Sequence, residues 1–382
     1  MIKFLKMIKI KKIFILAILA IPSMVIFTSC KKFLDREPLS ITADDIRVGA
    51  VEGKALGLYG AIRNSAAQPY CGDGFQNIPW VAMNGFRSDD AEIVADPGAS
   101  AWHQTYDNFQ YTKDDWGAGL YWDKHYILIG LCNEVIDLVA KGNYTDAGSL
   151  INVAEAKFFR AYSYFDLVRT YGEVPKINFV VNTPTDAYKP KSPVSEIYAL
   201  IDEDLTFAEQ YLPTVWEVKF KGRLTTYAAK ALHAKSLIYQ GQYAPALTLC
   251  KNVIDFGPYQ LTTDYWKIFK KDGELNEESI FEIQASKTAG DGNVYWSRLG
   301  QCQGVRGSGT WDLGWGWNTP SPSLVASYES GDVRKDATIL YSGQSDGGPN
   351  TGGYGLTLPP LSNALYWNKK VYSPYSEYLA AG

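Results

Sequence analysis

The clearest pattern along the chain is a run of apolar residues at alternating spacings of three and four between residues 145 and 171. The run consists of Ile151, Ala154, Phe158, Ala161, Phe165 and Val168. This periodicity predicts an amphipathic helix with one buried face. Thr145 or Asp146 is a suitable N-cap, while Gly172 and Pro175 supply a left-handed stop and a block to continuation.

Two further helices follow from similar patterns. One is predicted from Ser192 as N-cap and Pro193 in the first turn to Pro213 as terminator. Its apolar stripe consists of Ile197, Ile201, Leu205, Ala208 and Leu212. The other covers residues 122–139, where Ile129, Cys132, Ile136 and Val139 share one side.

Residues 224–257 predict a pair of helices joined by a turn at Gly241-Gln242. The pair has the 34-residue period of tetratricopeptide repeats. Ala234 and Ala246 occupy the small positions that let two such helices approach closely. Lys230 and His233 stand where the repeat usually carries large apolar residues, so the match is partial.

Two long segments lack both helical and strand periodicity and are rich in aromatic residues. Residues 290–318 hold eight glycines and, with Tyr295, the tryptophans 296, 311, 315 and 317. Residues 69–122 hold Trp80, Trp102 and Trp116 among other aromatic residues. Because tryptophan in a loop normally packs or binds something, both segments are candidate binding loops.

The first 30 residues have the pattern of an export signal. Five lysines precede an apolar stretch of 15 residues, 13–27, which ends in Thr28-Ser29-Cys30. A spanning helix needs about 20 apolar residues, so a signal peptide is favoured over a transmembrane segment. A cysteine at the cleavage point indicates lipid attachment at Cys30.

Charge and cysteine content exclude several classes of protein. The chain has 37 Lys and Arg against 41 Asp and Glu, and residues 1–29 hold five of the lysines. An acidic mature protein is a poor partner for nucleic acid. Cys71, Cys132, Cys250 and Cys302 are too sparse for a disulfide framework, although Cys71 and Cys302 lie in loop-like sequence where a pair remains open.

No catalytic or metal-binding motif is present in the sequence, so we expect neither an enzyme nor a bound metal or cofactor. The acidic group Asp89, Asp90 and Glu92 has the residue types of a glycosidase pair, which requires two carboxylates about 5 to 9.5 Å apart. Adjacent acids in a polar loop are more often solvated or bonded to turns.

Several segments, taken in order, resemble the SusD/RagB nutrient-binding lipoproteins of Bacteroidetes outer membranes. The matching segments are SCKKFLDREP (29–38), AEAKFFRAY (154–162), FDLVRTYGEVP (165–175), IDEDL (201–205) and NEESIFE (276–282). The resemblance implies a mainly α fold, in which a right-handed stack of tetratricopeptide-like helix pairs supports long irregular aromatic-rich loops with few short strands. It also implies a non-catalytic protein that captures oligosaccharide or polysaccharide and passes it to a SusC-like TonB-dependent transporter. The protein would be lipid-anchored in the outer membrane and face the cell exterior.

The resemblance implies one domain after the signal peptide. Residues 1–29 are the signal peptide and residues 30–382 the domain, with its helical scaffold mainly at 120–257 and its binding loops mainly at 69–118 and 285–360. Family members continue past a Trp-x-x-Lys segment, here Trp367 to Lys370, into further helices. We therefore expect this sequence to lack the family's C-terminal helices.

The aromatic loops are the predicted ligand site, because a pyranose ring stacks its C–H face on Trp or Tyr while neighbouring polar groups bind its hydroxyls. The predicted residues are Trp80, Arg87, Asp89, Trp102, Tyr295, Trp296, Arg306, Trp311, Trp315 and Trp317. Packing of some of these tryptophans against the helices is the structural alternative. Peptide capture and a tetratricopeptide scaffold that binds only proteins are the alternative functions.

Overall fold

The computed structural model describes residues 43–63, 78–93, 101–285 and 299–380. The chain divides into a first unit, residues 1–49, and a second unit, residues 50–382. The predicted signal peptide, Cys30, Cys71, Tyr295 and Trp296 lie outside the described residues. The account below concerns the second unit, apart from the start of the first described helix.

The described residues are mainly helical. The α-helices are α1 Ala43–Arg63, α2 Ile78–Trp80, α3 Ala101–Asp107, α4 Trp116–Gly142, α5 Ala147–Tyr171, α6 Pro184–Ala187, α7 Val194–Tyr211, α8 Thr226–Tyr239, α9 Tyr243–Phe256, α10 Leu299–Gln303, α11 Pro322–Ser327, α12 Arg334–Thr338 and α13 Tyr375–Ala380. The strands are β1 Ala91–Glu92, β2 Val174–Pro175, β3 Lys191–Ser192, β4 Thr319–Pro320, β5 Ile339–Tyr341 and β6 Tyr366–Asn368. They form three antiparallel pairs, β1 with β4, β2 with β3 and β5 with β6. None of the described helices combines the length and the apolar composition needed to cross a membrane.

The long helices pack as a stack in chain order. Helix α4 packs on α5, α5 on α7, α7 on α8 and α8 on α9. The α8–α9 pair is the predicted tetratricopeptide-like unit, and Ala234 and Ala246 are both buried at its contact. The predicted fold class, a mainly helical tetratricopeptide-like stack with few short strands, is confirmed.

The start and end signals of α5 act as predicted. The Asp146 carboxylate accepts a hydrogen bond from the Ser149 backbone N–H at 2.9 Å, which satisfies one of the first free N–H groups of the helix. At the other end Gly172 has φ +76°, a backbone conformation that favours glycine. Pro175 then lies in β2.

Two local predictions differ from the structure. Ser192 lies in β3 and does not cap α7, which begins at Val194 without a side-chain cap because Pro193 occupies the cap position. Helix α4 begins at Trp116, six residues before the predicted start, because Asp115 caps Gly117.

A buried carboxylate, that of Asp204 on α7, joins three helices. Arg160 on α5 donates Nε and Nη2 to its two oxygens at 2.7 and 2.8 Å, and Lys157 Nζ lies 2.7 Å from Oδ1. Arg160 Nη1 also reaches the side-chain oxygen of Asn133 on α4 at 2.8 Å. Lys157 and Arg160 belong to the segment AEAKFFRAY and Asp204 to the segment IDEDL. These charged residues can be buried together because each has a partner of opposite charge.

A second buried ion pair holds α1 against the stack. Arg223, just before α8, binds both oxygens of Glu155 on α5 at 2.9 and 2.8 Å. Tyr59 on α1 donates its hydroxyl to the same carboxylate at 2.6 Å, and Glu52 on α1 accepts from Arg223 at 2.8 Å. Glu155 therefore joins the first described helix to the centre of the stack.

A smaller core lies under the C-terminal loops. It consists of the buried residues Val305, Leu340, Leu358, Trp367 and Tyr372. Trp367, from the Trp-x-x-Lys segment, is fully buried on β6. Lys369 in the same segment donates to the Asp336 carbonyl at 2.7 Å. This segment therefore anchors the second core.

We expect Asp204→Asn to lower the free energy of unfolding by about 3–5 kcal/mol, because it leaves the buried Arg160 and Lys157 without a counter-charge. Urea unfolding followed by circular dichroism at pH 7 measures the effect. Glu203→Gln is the matched control, since Glu203 is 72% exposed and only 3.4 Å from the same Lys157. It should cost less than about 1 kcal/mol. Equal losses in the two variants would contradict the role of the buried carboxylate.

We also expect a pH-dependent contribution from His233 on α8. Burial opposes its charged form, but its contacts with Asp202 and Glu209 on α7 outweigh this and raise the pKa of His233 to about 9. Because the folded pKa exceeds the unfolded value, the stabilisation is complete below about pH 6.5 and is lost as the pH rises through 9. The unfolding free energy of the wild type minus that of His233→Gln should therefore fall by about 3 kcal/mol from pH 6 to 9.5. A difference that stays constant across this range would refute the assignment.

Candidate functional site

The pairing of β1 with β4 brings the two aromatic loop segments together. Ala91 pairs with Pro320 and Glu92 with Thr319. Ser321 reinforces the junction, since its N–H donates to the Asp90 carbonyl at 2.9 Å and its hydroxyl to the Asp89 carbonyl at 2.7 Å. Segments more than 220 residues apart in sequence thus become neighbours.

Four tryptophans meet beside this junction, and we call Trp102, Trp116, Trp315 and Trp317 the tryptophan cluster. The ring centroids of Trp315 and Trp317 are 4.6 Å apart, and those of Trp102 and Trp317 are 5.6 Å apart. Trp116 lies 4.8 Å from Trp102 and is 44% exposed, while the other three are half-buried. Two of these residues come from each loop segment.

Two buried side chains support the cluster. The ring centroid of His103 lies 3.8 Å from Trp102 and 4.4 Å from Trp317. Phe86 lies 5.8 Å from Trp102 and 6.4 Å from Trp317. Both residues are buried, so they hold the two loop segments in contact from beneath.

A hydrogen-bonded tyrosine sets the position of Trp116. The Tyr106 hydroxyl donates to the Asp115 carboxylate and accepts from the Ala118 N–H. The Asp115 carboxylate also caps α4, because it accepts from the Gly117 N–H. Burial, together with the bond to Asp115, raises the pKa of Tyr106 well above its ordinary value. Tyr106 therefore remains a donor at physiological pH.

Arg87 lies on a neighbouring part of the same surface. Its guanidinium carbon is 5.3 Å from the ring centroid of Phe109 and 5.5 Å from that of Tyr111. Tyr111 stacks on Tyr106, whose ring centroid is 6.1 Å from that of Trp102. Arg87 is thus connected to the tryptophan cluster through a continuous set of aromatic rings.

The other predicted residues in the described regions do not belong to the tryptophan cluster. Trp80 and Arg306 lie apart from it, and Asp89 contributes only through its backbone carbonyl. Trp80 is half-buried at the end of α2 and packs against the main core. Asp89 is exposed in a turn, and its carbonyl accepts from Ser321. Arg306 is half-buried and forms a β-bridge with Asp312.

Trp311 belongs to the second core. Its ring stacks on Tyr372 with the centroids 5.8 Å apart and the planes inclined by 12°. Four predicted tryptophans lie after residue 285. Trp315 and Trp317 belong to the tryptophan cluster and Trp311 does not, while Trp296 is outside the described residues. Spacing alone could not separate them, because a loop has no fixed periodicity.

Sequence reasoning placed Trp116 in a candidate binding loop but did not include it among the predicted ligand residues, and it missed the two supporting residues His103 and Phe86. Trp116 lies within the predicted aromatic segment, directly after the N-cap Asp115. Its position in the first turn of the helix was the feature of the sequence that could have identified it. Nothing in the sequence marks His103 and Phe86 as supports, since their contact with Trp317 depends on the β1–β4 pairing.

The arrangement offers accessible aromatic faces with a cationic neighbour. Such surfaces bind flat C–H faces by stacking and hydroxyl groups by hydrogen bonding. Among the residues that the structure describes, no three His, Cys, Asp or Glu side chains converge as a metal ion would require.

Comparison with known proteins shows what this chain is similar to. The family model SusD-like, described as starch-binding and associating with the outer membrane, matches residues 76–238. SusD-like protein P2 of Formosa agariphila is 27% identical over 273 residues, which cover 69% of this chain and 53% of that protein. Over these residues the chain is similar to SusD-like proteins.

Solved structures agree with this SusD-like fold. Surface glycan-binding protein A of Bacteroides thetaiotaomicron, in complex with laminarihexaose, has a TM-score of 0.68 and 21% identity, covering 85% of this chain and 71% of its own. A laminarin-binding SusD-like protein has a TM-score of 0.70 and 22% identity, with coverage of 86% and 73%. The chain spans about half the length of the curated relatives it matches.

Proposed function

We propose that this SusD-like protein binds oligosaccharides at the tryptophan cluster and does not cleave them. The observation that carries the proposal is the meeting of Trp102 and Trp116 with Trp315 and Trp317, which join from segments far apart in the sequence. Two structural neighbours, one in complex with laminarihexaose and one that binds laminarin, support a glycan as the ligand class.

The chemistry of the surface matches a sugar chain. Each pyranose ring presents C–H groups on its face and hydroxyls at its edge, so a platform needs aromatic faces with polar groups beside them. Arg87 is a donor near the aromatic platform, and Trp116 is its most exposed member. Peptide capture, the alternative within the family, has no comparable support from the described residues.

The proposal excludes hydrolysis. Asp89 and Asp90 are exposed in a turn and Glu92 is exposed on β1, so these acids lie in solvated positions. A glycosidase acid usually has its pKa raised by a buried, apolar setting. The family description also names binding and not catalysis.

We further propose that Cys30 carries a lipid anchor, that the protein faces the cell exterior at the outer membrane, and that it delivers glycan to a TonB-dependent transporter. The signal-like residues 1–30 support the anchor. The family description, which includes association with the outer membrane, supports the location.

We expect Trp315→Ala and Trp116→Ala each to weaken glycan binding by about tenfold or more, since one lost aromatic contact is worth about 1.4 kcal/mol. Titration calorimetry with laminarihexaose measures the affinity, and thermal melting should change little. Trp311→Ala is the matched control, because Trp311 lies in the same loop but stacks in the second core. It should keep binding at the tryptophan cluster and melt at a lower temperature. Normal binding by both cluster variants would refute the platform.

We expect Cys30→Ala to move the protein from the membrane fraction to the soluble fraction of a Bacteroidetes host. Loss of the acyl chains removes the anchoring free energy, about 0.8 kcal/mol for each buried CH₂ group. Fractionation followed by immunoblotting measures the distribution, and Cys250→Ala is the control cysteine. Retention of Cys30→Ala in the membrane fraction would contradict the anchor.

A further inference from the structure

A large cavity lies apart from the tryptophan cluster. It has a volume of about 1020 Å³ and is bounded by residues 266–272, by α10 and the loop after it, and by residues 349–377. The lining groups that matter here are Trp266, Phe269, Lys270, Gln301, Tyr354 and Tyr372. No residue of the tryptophan cluster lines it. The volume is at the upper end of the roughly 300–1,000 Å³ found for small-molecule sites.

The aromatic walls of the cavity are held by specific contacts. The Tyr372 hydroxyl donates to the Asp346 carboxylate at 3.0 Å, and the Tyr354 ring meets the Tyr372 ring edge-on at 5.5 Å. Lys270 Nζ donates to the Tyr372 carbonyl at 2.8 Å and lies 5.1 Å from the Tyr354 ring centroid. These contacts preorganise the aromatic walls.

The polar groups include both donors and acceptors. The side-chain oxygen of Gln301 is buried and has no hydrogen-bond partner among the described residues. Glu377 accepts from the Tyr354 hydroxyl at 3.2 Å, and Asp272 adds a second carboxylate to the lining. Lys270 supplies an ammonium group, and burial, with the nearby charge of Lys369, lowers its pKa to about 8.

This lining discriminates between classes of ligand. A purely apolar ligand would desolvate Lys270 and Glu377 without offering them hydrogen bonds, which costs free energy. The lysines would attract an anionic ligand, but the carboxylates of Asp272 and Glu377 would repel it. A neutral polyhydroxylated ring satisfies the lining, because its hydroxyls both donate and accept and its C–H faces stack on Trp266 and the tyrosines.

We propose that this cavity is a second saccharide-binding site, in which Trp266 and Tyr354 contact sugar faces while Lys270 and Glu377 bind hydroxyl groups. The choice of ligand class rests on the proposed function. The segment 299–317 forms part of both sites, since Gln301 lines the cavity while Trp315, whose N–H donates to the Gln301 carbonyl at 2.8 Å, belongs to the tryptophan cluster.

Calorimetric titration of the full chain with laminarihexaose and with a xylogluco-oligosaccharide tests the proposal. The variants are Trp266→Ala and Tyr354→Ala for the cavity, Trp315→Ala for the cluster, and Trp122→Ala as a half-buried tryptophan control outside both sites. The wild type should show two binding events. Trp266→Ala and Tyr354→Ala should each weaken the same one of them about tenfold, the equivalent of one aromatic contact.

The outcomes separate the two sites. Loss of one event in the cavity variants and of the other in Trp315→Ala supports both sites. Loss of all binding in Trp315→Ala, with the cavity variants like the wild type, overturns the second site and leaves the proposed function intact. Loss of binding only in the cavity variants keeps the cavity as a saccharide site and refutes the cluster as the platform. Absence of saccharide binding by the wild type overturns both.

Discussion

The structure depends on the buried carboxylate of Asp204. An isolated charge in this position would be costly to desolvate, so the carboxylate is stable only with Arg160 and Lys157 bound to it. Arg160 in turn binds Asn133, whose amide group donates to the carbonyls of Ile177 and Phe179, both at 2.9 Å. One ionic contact thus sets the relation of α4, α5, α7 and the segment after β2. Hydrophobic packing alone is less directional and tolerates more than one register.

The stack in turn presents the loops. Glu155 binds Arg223 and Tyr59, which fixes α1 and the start of α8, while Asp115 fixes the first turn of α4 below Trp116. The two-residue pairing of β1 with β4 then joins loops from opposite ends of the described chain. Such a short pair has few hydrogen bonds of its own, so Ser321, Phe86 and His103 stabilise the junction. The candidate binding surface is therefore a product of tertiary contacts supported by rigid helices.

Prediction from the sequence succeeded where structure is local. The stripe from Ile197 to Leu212 predicted a helix with that face buried, and Asp146 was correctly named as an N-cap, since periodicity and capping operate within a few residues. The prediction of Ser192 as a cap was wrong because it paired with Val174 in a β-ladder instead. Among the loop tryptophans, the sequence named the two segments that supply the tryptophan cluster but not which rings group together. Trp311 and Trp315 are four residues apart. Only long-range contacts decide that Trp311 packs on Tyr372 and that Trp317, the neighbour of Trp315, packs on Trp102.

By itself, the sequence determined the helical stack, the acidic balance and the resemblance to SusD-like proteins. These properties depend on composition, on periodicity and on motifs whose residues bury charges in pairs. Only the tertiary structure decided which aromatic rings share a surface, and that a separate cavity with an unpartnered Gln301 oxygen lies beside the second core. The reason is physical, since helix formation is governed by neighbours three and four residues away. A loop surface is governed by contacts between segments that the chain itself keeps far apart.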